Sequence, residues 1–150
     1  MADTITPELR SKNMSAIKSQ NTKPELYIRS KLFARGYRYR LHSSKIEGRP
    51  DIYLKRYNVA IFIHGCYWHR HPSCKYAYMP KSNIEFWNNK FQSNIQRDHM
   101  VLSNLRESGI RVLIIWECTI RQMMRSAEQE QLIIMRIDSF LNSDNLFMEL

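Results

Sequence analysis

The stretch Val59-Ala60-Ile61-Phe62-Ile63-His64-Gly65-Cys66-Tyr67-Trp68-His69-Arg70-His71-Pro72-Ser73-Cys74 decides the architecture. Its first five residues are all apolar, the pattern of a strand buried on both faces rather than of one alternating between core and water. Gly65 breaks the strand, and a polar loop rich in Cys and His follows at once. A second apolar run, Val112 to Trp116, has the same length, with Arg111 before it, Glu117 after it and Cys118 next. Two such strands need covering layers on both sides. The expected fold class is therefore α/β: a mixed sheet flanked by helices.

Working outward, Asn21-Thr22-Lys23-Pro24-Glu25 opens a helix. Thr22 is the N-cap of a capping box with Glu25, Pro24 suits the first turn, and Gly36 stands where the helix should stop. Leu26, Ile28, Leu32 and Phe33 are its expected apolar face. An earlier helix is expected from about Pro7 to Lys18. Tyr37 to His42 alternates aromatic or apolar residues with arginines, as a half-exposed strand does. Gly48-Arg49-Pro50 precedes a strand at Asp51 to Lys55, and Arg56-Tyr57-Asn58 turns into the Val59 to His64 strand. Irregular chain from Gly65 to about Lys81 leads to a long helix, about Asn83 to Ser108, which Gly109 ends. One or two helices close the chain. The whole reads as one domain, residues 1–150, with an N-terminal helical segment (about 1–20) and a C-terminal helical tail (about 126–150).

With 23 Lys and Arg against 14 Asp and Glu, the formal net charge is +9. The basic residues run along the whole chain, which favours a folded polyanion-binding surface over a basic tail, with nucleic acid as the expected partner. The start has no basic-then-apolar signal pattern, and the apolar runs fall far short of the ~18 residues of a membrane span. A cytoplasmic protein with no membrane partner is the expectation. The 3 cysteines are an odd count, which points to metal or catalysis rather than to a disulfide framework.

Cys66, His71, Cys74 and Cys118 make a Cys₃His set, the composition of a closed, tetrahedral structural zinc site. The first three share one loop, and Cys118 leaves a strand end that a parallel sheet can bring beside that loop. His69 is an open alternative to His71. Phosphodiester hydrolysis at neutral pH needs a cation to offset charge and a general base to activate water. Asp51 at a strand start and His64 at the end of the next strand supply a carboxylate and an imidazole. Mg²⁺ takes few carboxylates together with water and phosphate oxygens, so one Asp can suffice. His64 and His69 flank Cys66, so a zinc scaffold would fix both. The plainer readings are a turn Asp51, a capping Glu25 and a core His64. The residues alone reach a metal-assisted hydrolase acting on nucleic acid.

Gly48-Arg49-Pro50-Asp51, the Val59 to His69 segment, Glu85-Phe86-Trp87, Asn94 with Arg97-Asp98, and Gly109 to Cys118 together resemble the very-short-patch repair (Vsr) DNA mismatch endonucleases. Arg10 to Ser15 and Asn21 to Glu25 are similar too. The likeness runs from about residue 8 to residue 125 and leaves the last 25 residues uncovered. It implies a restriction-endonuclease-like fold related to the PD-(D/E)xK nucleases. It also implies nicking 5′ of the mismatched T in a T·G pair left by deamination of 5-methylcytosine. Carried over, Asp51 and the backbone carbonyl of Ile63 would ligate Mg²⁺, and His69 would be the general base. His64 would lie against the scissile phosphate, and Glu25 would act through metal-bound water. Tyr67, Trp68 and Trp87 would wedge beside the mismatch, with Met14 entering from the other groove. The family further implies a monomer and the MutL mismatch-repair protein as a partner. Ile63 replaces the usual Thr, Ile110 replaces a common Trp, and the His71-Pro-Ser-Cys74 turn is one residue longer than the tightest version. The competing readings are a restriction-type or repair nuclease of other specificity and a non-catalytic, zinc-stabilised DNA-binding module.

Overall fold

The computed structural model describes residues 20–150. The helix expected at Pro7 to Lys18, and with it Met14, lies outside the described residues. Within them the order is α1 (Lys23–Ala34), β1 (Arg40–Leu41), β2 (Ile52–Leu54), β3 (Val59–His64), α2 (Ile84–Glu107), β4 (Arg111–Trp116), α3 (Glu117–Arg125), α4 (Ala127–Leu141) and β5 (Phe147–Glu149). The five strands form one sheet in sequence order. β1–β2 and β2–β3 pair antiparallel, and β3–β4 and β4–β5 pair parallel, so the sheet is mixed and carries helices on its faces.

The two apolar runs lie side by side at the centre, Val59 opposite Arg111 and His64 opposite Trp116. Strand alternation divides their side chains between two cores. Val59 and Ile61 with Leu113 and Ile115 face one side, where Ile28 and Leu32 of α1 and Ile120, Met123, Ile133, Ile137 and Phe140 of α3 and α4 meet them. Ala60 and Phe62 with Val112, Ile114 and Trp116 face the other, under Leu105, Val101 and Leu102 of α2. Each fully buried Ile or Leu contributes about 1.5–3 kcal/mol of apolar transfer. The double-sided core thus holds the β3 and β4 ends in place.

Thr22 caps α1 by accepting the Glu25 N–H at 3.4 Å. The reciprocal half of the capping box is shifted by one residue, because the Glu25 carboxylate accepts the Asn21 N–H, at 2.6 Å. The apolar face expected on α1 is narrower than the sequence suggests. Ile28 and Leu32 are fully buried, whereas Leu26 is 48% and Phe33 54% exposed. At about 100° per residue, Leu26 and Phe33 stand roughly 160° and 140° around the helix from Ile28. Phe33 is covered instead by the Arg38 guanidinium, 3.9 Å over its ring.

The half-exposed strand expected over Tyr37 to His42 contracts to Arg40–Leu41, because His42 turns to left-handed backbone at φ 46°. Gly48 must be glycine. Its φ is +80°, and a Cβ there would come within 2.5 Å of Val101 Cγ1 on α2. That close approach lets α2 lie over the turn that delivers Asp51.

The last 25 residues are more than a helical tail. α4 supplies Ile133, Ile134, Ile137, Phe140 and Leu141 to the core, and β5 adds an edge strand that the sequence reading lacks. Arg111 ties this segment down by donating to the carbonyls of Phe140 and Asn145, which satisfies the open C-terminal end of α4. No helix among the described residues is long and apolar enough to cross a membrane.

Candidate active site and metal centre

Three clusters of side chains that could hold a metal ion gather where β2 begins and where β3 and β4 end. The first is Cys66, His71, Cys74 and Cys118, whose ligand atoms all lie within 4.8 Å of one another. The parallel β3–β4 pair brings them together. Cys66 follows the β3 end directly, and Cys118 sits in the first turn of α3, directly after β4. The Cys118 N–H donates to Cys66 Sγ at 3.4 Å, and Cys118 Sγ lies 3.4 Å from His71 Nδ1. The His71 ring stacks on Trp116, with centroids 4.1 Å apart, and the Trp116 indole N–H donates to Glu149 of β5 at 2.6 Å. His71 therefore stands with the cysteines, while His69 does not. Burial, joined by the neighbouring thiols, pushes the Cys66 thiol up to about 12. A thiolate there needs a cation beside it, and three sulfurs plus one imidazole suit Zn²⁺.

The second cluster is His64, His69 and Asp98. The His64 and His69 rings are stacked, with centroids 3.9 Å apart and planes within 5°. His69 Nδ1 lies 2.7 Å from Asp98 Oδ2, which leaves its other nitrogen free of that bond. His64 is buried against Phe62 and Trp116, and that burial, with His69 beside it, pulls its imidazole down to about 3. It is a neutral ring at physiological pH. A 220 Å³ cavity lined by Gly48, Phe62, both histidines, Arg97 and Asp98 opens onto this pair.

The third cluster is Glu25, His42 and Asp51. Asp51 Oδ2 accepts the Ile63 N–H at 2.7 Å. Glu25, 1% exposed, receives Arg29 at 2.5 Å and His42 Nε2 at 3.0 Å. Burial pushes the Asp51 carboxyl up to about 8, and the adjacent Glu25 carboxylate adds to the shift. Burial would raise Glu25 as well, but hydrogen bonds from Asp51, His42 and Asn21, together with the Arg29 charge, hold it below the usual carboxylate range. Two adjacent carboxyl groups thus carry one proton between them when no cation is present. A divalent cation removes that need, so the donor set fits one. Asp51 and His64 lie in different clusters, linked through the chain at Ile63-His64.

The loop between the histidines is held by residues the sequence reading left without a role. Arg70 donates to the carbonyls of Ala77 (2.8 Å) and Tyr78 (3.1 Å) and lies 4.0 Å over the Phe91 ring. Asn94 donates to the Trp68 carbonyl at 3.1 Å. Tyr67, Trp68 and Trp87 are mutual neighbours with centroids 5.3–5.9 Å apart, and all three are half-buried. Phe86 is 60% exposed beside them. Tyr67 packs edge to face against both tryptophans, Trp68 and Trp87 are tilted at 48°, and each ring stays partly exposed.

A family model described as DNA mismatch endonuclease Vsr matches residues 2–75. The chain is 41% identical over 121 residues to the DNA mismatch endonuclease Vsr of Escherichia coli, a match covering 81% of this chain and 77% of that protein. It is also 41% identical over 121 residues to the type II nicking enzyme V.NmeAIP of Neisseria meningitidis, covering 81% and 86%. The type II nicking enzyme V.XorIIP of Xanthomonas oryzae is 37% identical over 123 residues, covering 82% and 90%. A mixed sheet whose central strand ends carry paired histidines and carboxylates has the groups that a metal-assisted hydrolase needs. The chain belongs to the DNA mismatch endonuclease Vsr family. It is an endonuclease acting on DNA.

Proposed function

We propose that this chain nicks duplex DNA 5′ of the mismatched T in a T·G pair of the kind left by deamination of 5-methylcytosine. The observation that carries the reading is the His64–His69 stack, oriented by Asp98 and lying next along the chain to the Asp51-bound Ile63. The fold fits a restriction-endonuclease-like, PD-(D/E)xK-related sheet, and the whole chain acts as one domain and as a monomer on one strand. Asp51 and the Ile63 carbonyl would hold Mg²⁺. The ion would offset phosphate charge and stabilise the leaving oxygen.

The protein's own groups do the rest. Asp98 fixes the His69 ring, so that its free nitrogen takes the proton of an attacking water. His64, neutral and pressed flat on His69, presents an imidazole edge to the scissile phosphate and excludes water from one side. Glu25 keeps a charged oxygen facing Asp51. The Cys66, His71, Cys74 and Cys118 set would hold structural Zn²⁺, locking the loop that carries His69. Tyr67, Trp68 and Trp87 would enter beside the wobble pair, whose stacking is weaker than that of a matched pair.

Strand-resolved cleavage of a labelled oligonucleotide panel tests this, with T·G and matched T·A duplexes in Mg²⁺ or EDTA. The expected product is one cut on the T strand, 5′ of the mismatch, seen only with Mg²⁺. Asp51→Ala and His69→Ala should bind the duplex yet nick at least ~100-fold more slowly. Equal cutting of matched duplex would overturn the mismatch reading in favour of a restriction-type nuclease of other specificity. Normal nicking by both variants would overturn the assigned chemistry.

A further inference from the structure

His42 sits where a ligand would. Glu25 engages its Oε2 with the Asn21 N–H and with Arg29, at 2.6 and 2.5 Å. Asp51 engages its Oδ2 with the Ile63 N–H at 2.7 Å. Each carboxylate therefore keeps one oxygen, Glu25 Oε1 and Asp51 Oδ1, outside these bonds. His42 Nε2 is aimed at both, 3.0 Å from the first and 3.8 Å from the second. Neighbouring donors around a six-coordinate ion with ~2.0–2.1 Å bonds lie about 3 Å apart, so these separations suit one shared cation.

The neighbourhood supports the same assignment. His42 is half-buried, with its side chain 15% exposed, between a Glu25 that is 1% exposed and an Asp51 that is 19% exposed. The protein has thus removed this imidazole from water and presented it to two carboxylates, both already braced by backbone N–H groups.

We propose that His42 Nε2 is a direct ligand of the divalent cation that Asp51 Oδ1 and Glu25 Oε1 face, which makes the site a mixed carboxylate–imidazole set. The inference rests on the reading of Asp51 as a metal residue and adds a protein nitrogen to it. Imidazole suits first-row transition ions, whereas Mg²⁺ and Ca²⁺ prefer oxygen. The site therefore binds Mn²⁺ in preference to Mg²⁺, and His42 sets that preference.

The test uses the full chain loaded with zinc and without DNA, with Mn²⁺ as the probe. Electron paramagnetic resonance of free Mn²⁺ gives the affinity, and its pulsed form reports a bound ¹⁴N. Wild type should show nitrogen coupling. His42→Ala and His42→Gln should lose it, bind Mn²⁺ about tenfold or more weakly, and lose a similar factor of Mn²⁺ over Mg²⁺ preference. Unchanged circular dichroism and zinc content would show that both variants fold. Absence of nitrogen coupling in wild type, or its persistence with unaltered affinity in both variants, overturns the role of His42. Asp51→Ala separates the two levels. If it abolishes Mn²⁺ binding while the His42 variants change nothing, only this inference fails. If it leaves Mn²⁺ binding intact, the reading of Asp51 fails.

Discussion

The His69 ring is held between two residues far apart in sequence, and its bond to one of them fixes its orientation. Nδ1 of His69 lies 2.7 Å from Oδ2 of Asp98, which projects from the middle of α2. A carboxylate at Nδ1 selects the tautomer that carries its proton there, so the opposite nitrogen is the one left to accept a proton. Asp98 also lies within reach of His64 and stabilises any positive charge that develops on the stacked pair.

Asp98→Asn should therefore slow nicking while leaving the fold and duplex binding intact. Removing partners that orient a catalytic ring costs about tenfold to a hundredfold. Single-turnover rates on a T·G duplex, set beside a binding isotherm, give the comparison. An unchanged rate would show that Asp98 only closes the surface between α2 and the loop.

Zinc should be stoichiometric and structural. The four donors come from the β3 exit, the loop after it and the first turn of α3, so a metal held there would tie two chain segments that the sheet alone holds at one end. One zinc per chain is expected, and Cys118→Ser should lower stability by several kcal/mol, since a closed site of this kind adds its binding energy to folding. Metal analysis and urea unfolding check both. A full zinc complement in a Cys118→Ser chain of wild-type stability would refute the site.

Much of this was legible in the sequence, for reasons visible in particular residues. Val59 to His64 and Val112 to Trp116 read as buried strands because both their faces are apolar, and both faces are indeed covered. The gathering of Cys66, His71, Cys74 and Cys118 was readable because three of them share one short loop and no other cysteine competes. His42 was hidden. It ends an alternating stretch that reads as a half-exposed strand, and only its left-handed backbone turns the ring toward Glu25. Asp98 belongs to the family-like pattern but has no role legible in it, since α2 is polar over most of its surface and periodicity does not single out one of its three acids. Among the described residues β5 left no local signal. Three residues become a strand only through pairing with β4, which places Phe147 opposite Val112.

The C-terminal helix should be anchored by a phenol. Tyr37 donates its hydroxyl to Asp138 Oδ1 at 2.7 Å, and Arg35 pairs with the same carboxylate. Burial first, and then the Asp138 hydrogen bond and charge, push the Tyr37 phenol far above its ordinary value. The folded state thus keeps a proton that the unfolded chain releases near pH 10. The stabilisation is present in full below about pH 10 and is lost as pH rises beyond it. Tyr37→Phe should cost about 1 kcal/mol at neutral pH and lose stability less steeply above pH 10. Urea midpoints from pH 7 to 11 provide the measurement, and identical slopes in the two proteins would exclude this role.

Trp68 and Trp87 make the sharpest distinction between core and probe. Their centroids are 5.9 Å apart, Tyr67 contacts both, and Lys90 lies 5.8 Å over the Trp68 ring. The Trp68 carbonyl is fixed by Asn94, so the ring is carried on a rigid segment of chain although one side of it stays open. A wedge needs this combination, because a mobile aromatic would lose in ordering what it gains by stacking. Trp68→Ala should leave the zinc content and the circular dichroism unchanged. It should weaken T·G duplex binding by about 1–3 kcal/mol, as loss of one base-stacking aromatic does, and weaken matched-duplex binding much less. The ratio of the two affinities is the decisive quantity. If Trp68→Ala weakens both duplexes equally, the ring is a general contact and discrimination resides elsewhere. If the variant loses zinc or unfolds, the ring belongs to the core, and the open face of the cluster has another use.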